Sequence, residues 1–152
     1  MRLSEGLALR ADTQKRIQQL GTRVAASALV QEGEAPPEDP QVLLAEMEAA
    51  LVTLGNLMFR INRTNLQATL PSGMTLTQAL ARRDVLQQHH KLLSAIGDAA
   101  VPKQARYSRS EIRMIPTVDV ADIRHRADRI AREARELDSA VQEVNWTVDL
   151  AE

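Results

Sequence analysis

From Val120 to Val148 an apolar residue returns every three or four positions: Val120, Ile123, Ala127, Ile130, Ala134, Leu137, Val141, Val144 and Val148. That spacing follows the helical repeat and not the two-residue repeat of a strand. Asp119 stands where an N-cap belongs, and the pattern predicts one helix over about 119–148. At about 1.5 Å per residue, such a helix is a rod of roughly 45 Å. A rod that long with one narrow apolar stripe must lie against other long helices. This points to antiparallel coiled-coil or bundle packing.

Three more segments fit the same architecture. Leu3, Leu7, Ile17, Leu20, Val24 and Ala28 mark an amphipathic helix over about 2–31, closed by Gly33 and by Pro36, Pro37 and Pro40. Asp39 and Pro40 suit the cap and first turn of a second helix over about 41–63. Its expected seam is Leu44, Met47, Leu51, Leu54, Met58 and Ile61. A third helix, about 77–99, carries Ala79, Leu86, Leu93, Ile96 and Ala100, with Thr75 or Thr77 as its cap. Between the second and third helices, Pro71-Ser72-Gly73 separates Ala68-Thr69-Leu70 from Met74-Thr75-Leu76, which predicts a small β-hairpin within 66–76.

The stretch RYSRSEIRMIPTVD, residues 106–119, interrupts the helical pattern. Glu111-Ile112-Arg113-Met114-Ile115 is β-permissive and Pro116 ends it, so a short strand beside the hairpin is expected. The predicted fold is therefore mainly α: four long helices in antiparallel coiled-coil or bundle packing, with a small β-hairpin plus a short strand capping one end. The 152 residues fit a single helical domain spanning 1–152, with an acidic, Pro-rich linker at 31–40 and a strand-containing connector at 104–118.

Composition enters through the size of the core. Hydrophobic residues make up 44% of the chain but aromatic residues only 2%. Narrow stripes of Leu, Ala, Val, Ile and Met build a thin core, so further apolar surface is expected to be buried between subunits. Nineteen Lys and Arg against 20 Asp and Glu leave a net charge of −1, which disfavours general nucleic-acid binding. With no cysteine, disulfide and thiolate chemistry are excluded. The first residues reach charge too soon for a signal peptide, and no apolar run is expected to approach the ~18–20 residues of a membrane span. The expectation is a cytoplasmic protein with no membrane partner.

The chemical constellations are few. His89 and His90 point about 100° apart on a helix and do not share a metal. Asp122, His125 and Asp128 have a ligand-compatible spacing, so they are the metal candidates, although the bland reading is a solvated surface histidine. Glu133-x-x-Glu136 and Asp149-x-x-Glu152 have the look of paired acidic magnesium motifs. They lie some 20 Å apart on one rod, however, and read instead as an outer face of i,i+4 pairs. No Gly-rich phosphate loop, GxSxG, HExxH or EF-hand pattern occurs, and no catalytic or cofactor-binding residue is assigned. Two polar clusters remain: Asn62, Arg63 and Asn65, and Arg106, Tyr107, Arg109 and Glu111, with Arg83 and Asp84 joining them. They serve either to satisfy helix ends and the hairpin or to hold a ligand. Trp146 reads as an apolar anchor for the end of the last helix.

Taken together, LRADTQKRI (9–17), VQEGEAPPEDP (30–40), INRTNL (61–66), TLTQALARRDVL (75–86), RYSRSEI (106–112), TVDVAD (117–122) and VQEVNWTVDL (141–150) resemble a widespread family of small bacterial proteins. That family is of unknown function and often carries the label "septicolysin". The resemblance implies a mostly helical fold and an oligomeric assembly, a hexamer among the assemblies it implies. The toxin sense of the label is not carried over, because the chain has no long apolar hairpin and no Trp-rich loop. The expected function is that of a non-enzymatic homo-oligomer acting as a structural or interaction protein. The alternatives are a nucleic-acid-associated helical hairpin, motivated by Arg124, Arg126, Arg129, Arg132 and Arg135, and a metal-dependent hydrolase with sites assembled between subunits.

Overall fold

The structure is a computed structural model and describes residues 1–102 and 112–152. It contains four helices: α1 (Leu3–Ser27), α2 (Pro40–Gln67), α3 (Leu76–Ala99) and α4 (Val120–Thr147). Their starts follow local chemistry. Asp39 accepts a hydrogen bond from the Gln41 backbone N–H at 2.9 Å, and Pro40 opens α2. Thr75 accepts from the Gln78 N–H at 3.2 Å while Gln78 accepts from the Thr75 N–H at 3.0 Å, a reciprocal capping box for α3. Asp119 caps α4 by accepting from the Asp122 N–H at 3.1 Å.

The chain divides into two compact units. The first comprises Met1–Thr69 and Val144–Glu152, so it contains α1, α2 and the last turn of α4. Here α1 and α2 pack antiparallel, with Arg16 paired to Glu46 and Arg23 to Glu38 along their flank. Leu3, Leu20, Leu43, Leu57 and Ile61 are buried, as are Val144 and Leu150. The final residues lock onto the first: the Leu3 N–H donates to the Val148 carbonyl at 2.9 Å, and the Leu150 N–H to the Met1 carbonyl at 2.9 Å. Leu150 seats against Gly6, where a Cβ would come within 2.9 Å of its Cδ2.

The second unit is Leu70–Glu143. Within it α3 and α4 run antiparallel. Asp98 pairs with Arg124 near one end at 3.4 Å, and Arg83 pairs with Asp138 near the other at 3.3 Å. Its buried residues include Leu76, Ala79, Leu86, Leu93, Ala127 and Val141.

The expected β elements are not formed. Among the described residues there is no strand and no sheet, only isolated bridges such as Arg2 with Asp149. The 66–76 hairpin is a tight turn instead. The Leu70 N–H donates to the Met74 carbonyl at 2.8 Å, the Gly73 N–H donates to Leu70, and Gly73 takes φ +83°. The helices on either side explain this. Helix α2 runs on to Gln67, and Thr75 is consumed as the cap of α3, leaving too few residues for a ladder. The strand cap fails for a related reason. Ile112–Pro116 is irregular backbone, and Ile112, Met114 and Ile115 are 71–81% exposed, with no strand among the described residues to pair with. The rest of the connector, 104–111, lies outside the described residues.

Two further expectations change. Trp146 is no anchor: it stands 66% exposed, and its neighbour Asn145 is the buried residue. Helix α2 is also more apolar than expected. It is long and apolar enough to cross a membrane, with an 18-residue window of mean hydropathy 1.5, of which only 11% is buried. Glu46 and Glu48 interrupt the run, but they are its only charged residues between Val42 and Phe59.

Candidate functional site

The residues singled out from sequence fall in both units. Asn62, Arg63 and Asn65 lie inside the last turns of α2, because that helix continues beyond residue 63. Asn62 and Arg63 are exposed, and the Arg63 guanidinium donates to the Glu152 carbonyl at 3.1 Å. Beside them is a latch that sequence reasoning missed. The Thr64 Oγ1 accepts from the Ala151 N–H at 2.9 Å and donates to the Arg60 carbonyl at 2.8 Å. The Arg60 guanidinium in turn donates to the Ala151 carbonyl at 2.7 Å. At the opposite end of the same segment, Arg2 donates to the Thr147 carbonyl at 2.6 Å and to Asp149 at 3.1 Å. These bonds run mostly to backbone of the last residues, so the cluster holds the C-terminal segment in place. The only sequence signal for the latch is Thr64 itself, a polar residue in register with Leu57 and Ile61.

Arg83 and Asp84 belong to α3 in the second unit. Arg83 bridges Asp138 at 3.3 Å and Asp84 at 3.4 Å, while its Nε is buried without a hydrogen-bond partner. Next to them a groove of about 380 Å³ is floored by Leu70, Met74, Leu137 and Ala140 and edged by Arg82, Glu133 and Glu136. Arg82 and Glu133 pair across the helices and neutralise each other. Glu133 therefore binds α3 rather than closing an i,i+4 pair on its own helix. The groove offers an apolar floor with a mixed-charge rim. Arg106, Tyr107, Arg109 and Glu111 lie outside the described residues.

The metal candidates are spread along α4. His125 and Asp128 are exposed, and the Asp122 carboxylate is held by the Arg126 guanidinium at 2.7 Å. Among the described residues no three His, Cys, Asp or Glu side chains come together in a group that could hold an ion. Hydrogen bonding from Arg23 holds the Glu38 carboxyl below its ordinary range, and the same contact raises Arg23.

The most distinctive surface is apolar. On α2, Val42, Val52, Phe59 and Leu66 are 62–66% exposed, and Leu51 and Met58 are 46% and 45% exposed. The turns between them put Val52, Phe59 and Leu66 opposite Leu43, Leu57, Ile61 and Thr64, which pack inward, while Val42, Leu51 and Met58 lie to the sides. Helix α3 shows a smaller exposed set in Val85 and Leu92.

Three comparisons bear on this arrangement. A family model described as a family of unknown function (DUF6847) matches residues 10–150. A solved structure, a functionally unknown conserved protein from Corynebacterium diphtheriae, is similar with a TM-score of 0.91 and 41% identity, covering 99% of this chain and 98% of that one. No curated protein matches. Neither match supports the "septicolysin" label that the sequence resemblance brought with it.

Proposed function

The chain belongs to DUF6847, a family of unknown function, and within that family we propose that it acts as a homo-oligomer, a structural or interaction protein that works by assembly rather than by catalysis. One observation carries the reading: six large apolar side chains of α2 stand between 45% and 66% exposed on a single helix. So many on one helix exceed what scattered surface leucines supply, and exposed apolar side chains in such numbers mark places where another surface binds. The thin, aromatic-poor core supports the same reading, because apolar area left open within one chain is gained back between chains.

Size-exclusion chromatography with light scattering across the micromolar range tests it. The expected result is a discrete oligomer that dissociates on dilution. A strict monomer at every concentration overturns it.

A further inference from the structure

The open face of α2 has a symmetry of its own. At 100° per residue, Ala45, Glu48, Val52, Phe59, Arg63 and Leu66 fall in one sector of the helix, opposite its buried residues. All six are exposed. They are also arranged evenly about the Gly55–Asn56 step. Val52 and Phe59 lie equally far to either side of it, as do Glu48 and Arg63, and Ala45 and Leu66.

We propose that α2 is a self-interface: two copies of the chain lay this face antiparallel across a two-fold axis at Gly55–Asn56. The inference rests on the oligomer reading above and names its surface. Under that axis Val52 of each copy meets Phe59 of its partner, and Ala45 meets Leu66, so a small side chain opposes a large one at each level. Glu48 meets Arg63 twice, once from each copy, as an isologous contact requires. Glu48 makes no ion pair with any described residue. Arg63 donates one N–H to the Glu152 carbonyl and keeps further donors for a carboxylate. At the axis itself, nothing lies within 4 Å of where a Gly55 Cβ would be, so a second helix can come close there.

A lipid surface is the competing occupant, since α2 is apolar enough to enter one. The charges argue against it. Membrane-surface helices keep Lys and Arg along a polar face, whereas here one acid and one base stand within the apolar strip at equal distances from its middle. That placement is complementary to itself and not to an anionic bilayer.

Charge reversal tests the pairing. Each of Glu48→Arg and Arg63→Glu sets like charges opposite each other twice and is expected to weaken self-association about tenfold or more. The double variant restores opposite charges and is expected to recover most of the wild-type affinity. Because the chain contains no cysteine, Asn56→Cys supplies a second, geometric reading: a short bis-maleimide should join two copies through that single site. Circular dichroism checks that each variant keeps its helix content. If the protein is an oligomer but the double variant stays weak and Asn56→Cys does not cross-link, the self-interface is overturned while the oligomer reading stands. A monomer at all concentrations overturns both. A monomer that sediments with phosphatidylglycerol vesicles, and loses that on Phe59→Glu, overturns both in favour of the lipid surface.

Discussion

Helices α2 and α4 are both 28 residues long, yet they use their apolar residues differently. Every member of the α4 ladder from Val120 to Val148 is buried or half-buried. Its other faces are charged, with acids and arginines interleaved. Helix α2 has more apolar residues than one face can bury. Leu43, Leu57 and Ile61 point inward, while Val52, Phe59 and Leu66 point to solvent. An apolar stripe that is just wide enough reveals its own orientation. A helix with apolar residues on more than one side does not reveal from its spacing which of them packs inward.

Substitutions can break this contrast. Val141 on α4 is 1% exposed, so Val141→Asp buries a carboxylate without a partner and is expected to abolish the cooperative unfolding transition. Val52→Asp on α2, where the side chain is 66% exposed, is expected to keep that transition. If the two behave alike in a thermal melt, the contrast is false. Within α2 the same logic applies to opposite faces. Ile61→Ala, at 1% exposure, should cost about 2–5 kcal/mol in urea unfolding. Phe59→Ala should cost no more than about 0.5 kcal/mol for the isolated folded chain. Any larger loss at Phe59 should grow with protein concentration, as expected when assembly is lost.

Smaller effects sharpen the picture. Gly6→Ala drives a methyl into Leu150 and is expected to cost about 1–3 kcal/mol. Gly21→Ala meets nothing within 4 Å on the same helix and should gain up to about 1 kcal/mol. Asp39→Ala removes the α2 cap and should cost about 1 kcal/mol. Last is a pH effect. The Glu38 carboxyl is held below its ordinary value of 4.5 by Arg23, so its contribution is complete above that value and disappears as pH falls through the depressed one. Compared with Glu38→Gln, the wild-type advantage should therefore be present at neutral pH and vanish in acid. An advantage that grows on acidification would contradict the Arg23–Glu38 contact.

Much of the helical plan was legible. Asp39, Thr75 and Asp119 cap the helices assigned to them, and Ala79, Leu86 and Leu93 are buried on α3 as their spacing requires. The seam of α2 was not legible. Of Leu44, Met47, Leu51, Leu54, Met58 and Ile61 only Ile61 is fully buried, while Leu51 and Met58 are exposed. With apolar residues in three sectors, spacing alone does not choose among them. The hairpin failed because Thr75 fits a strand and a cap equally well on paper, and the reciprocal bonds with Gln78 decide for the cap. The latch around Thr64 and Ala151 left a single mark, a threonine in register with Leu57 and Ile61, since backbone groups of a short non-periodic tail leave no pattern in side-chain spacing. The pairing of Glu133 with Arg82 joins residues 51 positions apart, beyond any local rule.

The lock between Leu150 and Gly6 has a consequence for the order of synthesis. The first unit is written in two pieces, Met1–Thr69 and Val144–Glu152, with all of the second unit between them. As the chain is made, α1 and α2 emerge and can pair, but Leu3 and Gly6 wait for a cover that is translated after the whole second unit. At ~5–20 residues per second, that wait is on the order of ten seconds. During it, the hairpin of α1 and α2 is uncovered where Leu150 will seat as well as along the open face of α2.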